Sequence, residues 1–157
     1  MGPAFGSSWN VYLAAKDLGH TRAEVGRLGG RIVMGPVPAG ENGRLCLAVD
    51  PSGAAVGFWE GGRDEGVVLV DEPGALCACE LHTSGQEAAT EFYRNLYGDV
   101  PLVIRPSART GWVPFFGAGD GDSAGAVAAA LAAGARPLEN GLLADPLGAV
   151  FGLTILN

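Results

Sequence analysis

LAVDPSGAAVGF at residues 47–58 and LLADPLGAVFGL at residues 142–153 share the pattern Leu-x-x-Asp-Pro-x-Gly-Ala-x-x-Gly, aligned on Asp50-Pro51 and Asp145-Pro146. Each reads as a strand, a tight turn and a second strand. Proline presets φ at the turn, the aspartate side chain accepts from the backbone two residues on, and glycine takes the left-handed conformation. The same hairpin therefore occurs twice, 95 positions apart, and an internal repeat organises the chain.

Matching segments precede the two hairpins. Trp9 to Leu13 is a β-rich run with Asp17 eight residues after the tryptophan, and Trp112 to Phe116 is another, with Asp120 eight residues on. Asp17 is the expected N-cap of a helix through Leu28, stopped by Gly29-Gly30. Ser123 to Ala133 is alanine-rich and predicts a second helix, stopped at Gly134. Gly117-Ala-Gly-Asp-Gly-Asp before it reads as a turn and cap, since it has neither a phosphate-loop spacing nor a lysine.

Between the two copies, Ala75 to His82 predicts a strand. Glu87 to Tyr97 predicts a helix, with Ala88, Phe92 and Leu96 at four-residue spacing and Gly98 closing it. Ser84 is the expected cap, because Gly85 has no side chain to offer. Only one further strand, Val100 to Ile104, fits before the next unit. The expected organisation is a tail over 1–8, a strand–helix–strands unit over 9–60 and a linker over 61–74. A truncated strand–helix unit over 75–110 and a shortened unit over 111–157 follow. In the linker, Val67 to Val70 reads as a short strand and Glu72-Pro-Gly as a turn.

Composition narrows the function. Ten Lys and Arg against 17 Asp and Glu give a net charge of −7, which disfavours both a phosphate backbone and an anionic membrane as partner. No apolar stretch is long enough to span a bilayer. Met1 to Ser8 lacks the basic and apolar regions of a secretory signal, so the expected location is the cytoplasm. Cys46, Cys77 and Cys79 lie in apolar runs and read as buried thiols. The last two would share one face of a strand, too far apart for an unstrained bridge.

The repeated Asp-Pro-x-Gly-Ala-x-x-Gly hairpins, WNVYLAAKDL, GRLCLAVDPSGAAVGFWEGG and DEPGALCACELHTSGQEAATEFY resemble the vicinal-oxygen-chelate superfamily. This superfamily includes glyoxalases, extradiol dioxygenases and bleomycin-resistance proteins. The resemblance spans roughly residues 9–156 and is narrowest to a tandem glyoxalase-like branch of actinomycete secondary metabolism. It implies an α+β fold of βαβββ units forming a partly closed, mixed β-sheet cup with helices outside. The branch has four such units. This sequence starts at what matches the second, has lost strands from the third, and has ten residues from Ala135 to Asp145 where Gly30 to Asp50 has twenty. Either the second and fourth units pair with each other or a partner subunit completes the sheet. The expectation is a homodimer, strand-swapped or not, or a heteromer with a longer paralogue.

Metal-using members place a ligand early in the first strand and a glutamate four residues beyond the hairpin glycine. Those positions are Asn10, Ala78 and Val113, then Gly57 and Gly152. None is a strong ligand for a hard cation, so no metal and no cofactor are expected. Strand alternation from these positions gives a candidate ligand-binding set of Asn10, Tyr12, Trp59, Glu80, His82, Phe115 and Thr154. The glycines make room, and the rings suit a small apolar or aromatic ligand; ordinary core packing is the competing reading. Trp9 and Trp112, of opposite parity, are assigned beneath the helices, and His20 to a solvated helix face. Glu80 and His82 are the candidate catalytic pair, against an edge ion pair as the simpler reading. The implied functions are metal-free binding of a secondary metabolite, metal-free tailoring chemistry, or a degenerate subunit that pairs with a longer partner.

Overall fold

The structure is a computed structural model that describes residues 7–119 and 122–156; of the expected turn and cap, Asp120 lies outside them. Its chain divides into two compact units. One comprises Asn10–Val67 and Glu80–Trp112. The other comprises Val68–Cys79, Val113–Asn157 and the tail through Trp9.

In the first unit, β1 (Tyr12–Ala14), α1 (Leu18–Arg27), β2 (Arg31–Pro38), β3 (Gly43–Val49) and β4 (Ala55–Gly61) make a sheet of order β1-β4-β3-β2. β1 runs parallel to β4, and the remaining pairs are antiparallel. Alternation sorts the side chains: Cys46, Ala48, Val56 and Phe58 are buried with Leu18 and Val25 of α1. Leu45, Leu47 and Val49 are only half-buried. Asp17 caps α1 as expected, its Oδ1 accepting from His20 N at 2.9 Å. A second carboxylate supports the same helix end from the sheet, for Leu18 N donates to Glu60 Oε2 at 2.7 Å.

β5 (Leu76–Thr83), α2 (Gln86–Tyr97) and β6 (Val103–Pro106) follow, with β5 and β6 parallel. Ser84 does not cap α2. Gly85 holds the cap position and no side chain caps the helix; the Gly85 N–H donates to the hydroxyl of the fully buried Thr83 at 3.0 Å, which fixes the turn before α2. The strand expected from Val100 starts at Val103. Val100 N and Leu102 N instead bond the carbonyls two residues back, at 2.9 and 2.8 Å; these tight turns flank Pro101, which has no N–H to give a ladder.

β7 (Gly111–Ala118), α3 (Ser123–Ala132), β8 (Arg136–Pro137), a single 3₁₀ turn at Glu139–Gly141, β9 (Leu143–Ala144) and β10 (Val150–Ile155) complete the chain. The second sheet has the order β6-β5-β7-β10-β9-β8. The fourth unit therefore shares its sheet with the truncated third, and not with the second. The architecture is α+β with mixed sheets, and neither sheet closes into a barrel. Among the described residues no helix is long and apolar enough to cross a membrane.

Three further expectations are corrected. The strand expected from Trp9 begins at Tyr12; Trp9 does not lie beneath a helix but packs on Phe116, ring centroids 5.4 Å apart. Val67 to Val70 is not a strand, its ladder contact being one bridge from Val70 to Leu76; β-propensity needs an edge to pair with. Cys77 and Cys79 are half-buried and only Cys46 is buried, since burial on that face of β5 becomes complete only at Leu81 and Thr83. Burial pushes the Cys46 and Cys79 thiols up, away from the reactive thiolate.

The two Asp-Pro turns are built alike. Asp50 Oδ1 accepts from Ser52 N, Ser52 Oγ and Ala54 N at 2.8, 2.7 and 3.0 Å. Asp145 Oδ1 accepts from Leu147 N and Ala149 N, both at 2.9 Å. Their glycines take positive φ, 92° at Gly53 and 99° at Gly148. Only Asp50 is buried, and its second oxygen accepts from Tyr93 Oη of α2 at 2.9 Å. Tyr93 in turn meets Trp112 edge-on, with centroids 5.6 Å apart, so Trp112 does pack against a helix.

Tyr93→Phe leaves a buried carboxylate oxygen without its donor and is expected to cost about 1–3 kcal/mol in chemical denaturation. Burial, and then the charge of Asp50, push the Tyr93 hydroxyl up from its ordinary 10.0. Its contribution is complete below pH 10 and is lost as pH rises, because the unfolded tyrosine gives up its proton first. Stability should therefore fall above pH 10, and less steeply in Tyr93→Phe.

Candidate functional site

The parallel pairing of β1 with β4 sets Tyr12 opposite Gly57 and Ala14 opposite Trp59. A Cβ added at Gly57 would stand 2.6 Å from Tyr12 Cε1 and 2.8 Å from Tyr12 Cγ, far inside contact distance. The parallel pairing of β7 with β10 repeats the arrangement, with Phe115 opposite Gly152. A Cβ there would stand 2.9 Å from Phe115 Cζ, with Cδ1 and Cε1 nearer still. In both repeats an aromatic ring from the first strand lies in the space above a glycine of the last. Neither glycine has a positive φ; the demand is for space, not for a left-handed backbone. The room expected at these glycines is therefore already filled, and filled by members of the candidate set.

Tyr12 remains 41% exposed over Gly57. Trp59 is half-buried beside Ala14, and its indole N–H donates to Asp64 O at 2.9 Å, which fixes the ring. Thr154 is opposite Gly117, two residues beyond Gly152 on the face of Phe115. Asn10 is exposed and precedes β1, outside any strand.

Glu80 and His82 meet as alternation predicts, with Glu80 Oε2 3.3 Å from His82 Nε2 and both side chains 16% exposed. A third member was not anticipated. Arg105 on β6, opposite His82 in register, donates to Glu80 through Nε and Nη2, both at 3.2 Å. The expected end of that strand at Ile104 hid it; parallel register with β5 was the missing signal. Tyr93, the partner of Asp50, was missed for a similar reason, standing 43 residues away.

No family model matches the chain. It is 29% identical over 180 residues to CFP32 of Mycobacterium tuberculosis, which carries a glyoxylase name; the match covers 92% of this chain and 68% of that protein. The protein of the same name in Mycobacterium bovis matches equally. Over 93 residues it is 36% identical to the anthracycline biosynthesis protein DnrV of Streptomyces peucetius, covering 59% of this chain and 34% of that protein. In fold it is similar to the Mn(II)-bound glyoxalase from Novosphingobium aromaticivorans, with a TM-score of 0.61 and 17% identity over 93% of this chain. It spans 62% of that structure. The repeated units and these relatives support the resemblance to the vicinal-oxygen-chelate superfamily. The similar proteins carry glyoxylase and anthracycline-biosynthesis names, and the similar fold is that of a glyoxalase.

The superfamily's metal is held by carboxylates and imidazoles, and the side chains at the positions where the resemblance would put its ligands do not fit one. Ala78 and Val113 carry no donor, and Gly57 and Gly152 have no side chain and a ring in its place. Among the described residues no three His, Cys, Asp or Glu converge.

Gly57→Ala should cost about 1–3 kcal/mol in chemical denaturation, because the new methyl meets the Tyr12 ring. Combined with Tyr12→Ala, most of that cost should vanish. Additive losses in the double variant would mean that ring and glycine do not share one space.

Proposed function

We propose that this chain is a metal-independent, glyoxalase-type binding protein for a small planar aromatic or polycyclic metabolite, acting by sequestration or resistance. The ring–glycine pair, present once in each repeat, carries the reading. Where the superfamily puts a carboxylate to hold a cation, this chain puts a rigid ring backed by peptide. Such a ring has few torsions to immobilise and offers a flat face on which another aromatic system stacks at little entropic cost. The exposed face of Tyr12, with Trp59 fixed nearby by Asp64, supports the same chemistry. The name of the similar DnrV protein agrees with a polycyclic ligand class.

The test uses 1,4-dihydroxyanthraquinone as probe, titrated against tryptophan fluorescence. Saturable quenching is expected, and Tyr12→Ala should weaken it by about 1–3 kcal/mol, roughly 5- to 150-fold. No saturable binding, or an affinity unchanged in folded Tyr12→Ala, would contradict the proposal.

The 3.3 Å approach of Glu80 and His82 favours a second reading, a metal-free tailoring enzyme or accessory subunit of cyclase, isomerase or hydroxylase type. There Glu80, clamped by Arg105, would orient His82, and His82 would move the substrate proton. Turnover abolished in His82→Asn with binding retained would establish that reading over simple sequestration.

A further inference from the structure

The linker run Gly66-Val-Val-Leu-Val-Asp71 is the most apolar exposed stretch of backbone. Val67 to Val70 are each half or more exposed, and Val68 reaches 94%. Four consecutive apolar residues, three of them β-branched, favour an extended strand. Yet among the described residues their ladder contact is the single bridge at Val70. A strand-forming run left open in this way is a template for pairing with another sheet edge.

The chain's own edges differ in what they can accept. β1 is three residues long, and its Ala14 carbonyl already accepts from Tyr97 Oη at 2.9 Å. β8 is two residues long and contains Pro137. β6 ends in Pro106, and its Arg105 is committed to Glu80. β2 is the outermost strand of its sheet, with Val33 and Met34 exposed. Its pairing with β3 shifts register between Ile32 and Met34 and again between Met34 and Val37, and Pro36 and Pro38 have no N–H to give, so the stretch β2 offers lies ahead of Gly35. Arg31–Met34 is four residues, the length of Val67–Val70.

Charge selects between partners. The run is flanked by Asp64 and Glu65 on one side and by Asp71 and Glu72 on the other. Two such runs paired antiparallel would bring Glu65 against Glu72, a like-charge contact at each end. Against β2 in the antiparallel sense, Arg31 falls beside Val70 and Asp71, an opposite-charge contact.

We infer that Val67–Val70 of one chain adds as a strand to the Arg31–Met34 edge of β2 in a second copy. The contact joins two different surfaces, so it is made reciprocally in a closed dimer or serially in a longer assembly. It is independent of the ligand proposal, and its test involves no ligand.

The experiment mixes ¹⁵N-labelled Val33→Cys protein with unlabelled Val68→Cys protein under mild oxidation, with wild type as the baseline for Cys46, Cys77 and Cys79. Intact mass identifies each covalent product. Disulfide-linked chains should be predominantly the mixed product. A mixed product no more abundant than either same-variant product, or no product above the wild-type baseline, overturns the inference. Sedimentation of Val68→Lys gives a second reading. Because the side chain is exposed the variant should fold, and it should need at least ten-fold higher concentration to associate. Association unchanged from wild type would count equally against the inference.

Discussion

Where two parallel strands run side by side, a glycine on one leaves a gap above the pleat that a ring on its neighbour can enter. This chain uses the gap twice, with Tyr12 over Gly57 and Phe115 over Gly152. The consequences reach from packing to chemistry. Packing is served because the ring covers peptide that glycine leaves bare. Substitution is constrained because a Cβ at Gly57 or Gly152 would meet the ring that lies over it. Retention of one arrangement in two repeats, with a phenol in one and a phenyl ring in the other, ties it to the ring face rather than to a hydroxyl.

The two Asp-Pro turns show how one local motif serves two ends. Both carboxylates organise their turn through Oδ1. Asp145 stops there, and its turn remains open to water. Asp50 is buried and adds Tyr93 of α2 through Oδ2, so a hairpin tip becomes an anchor for a helix far along the chain. Glu60 works likewise, supplying the start of α1 from outside the helix, and Thr83 holds the turn that leads into α2. The units thus depend on a few polar contacts at element ends, while Phe58, Phe92 and Leu81 supply the apolar core.

Legibility in the sequence followed how local each determinant is. The hairpins were readable because Asp, Pro and Gly each act within four residues. The cap at Asp17 and the stop of α2 at Gly98 were readable for the same reason. Trp9 was misplaced because its partner is Phe116, on a distant strand. Val67–Val70 has the composition of a strand, but among the described residues only Val70 pairs, through one bridge to Leu76, and composition cannot supply the rest of an edge. Alternation put Tyr12 and Gly57 on one face, but only the register of β1 on β4 shows that the ring fills the glycine's space. Arg105 emerged only when β6 was aligned to β5.

The central claim is that rings have replaced ligands, and a titration of the purified protein with manganese(II), followed by electron paramagnetic resonance, tests it most directly. The hexaaqua signal should persist undiminished as protein is added, because neither Gly57 nor Gly152 can donate and both spaces are filled. Stoichiometric loss of that signal, with one tightly held ion per chain, would contradict the account and return the protein to the metal-dependent glyoxalases.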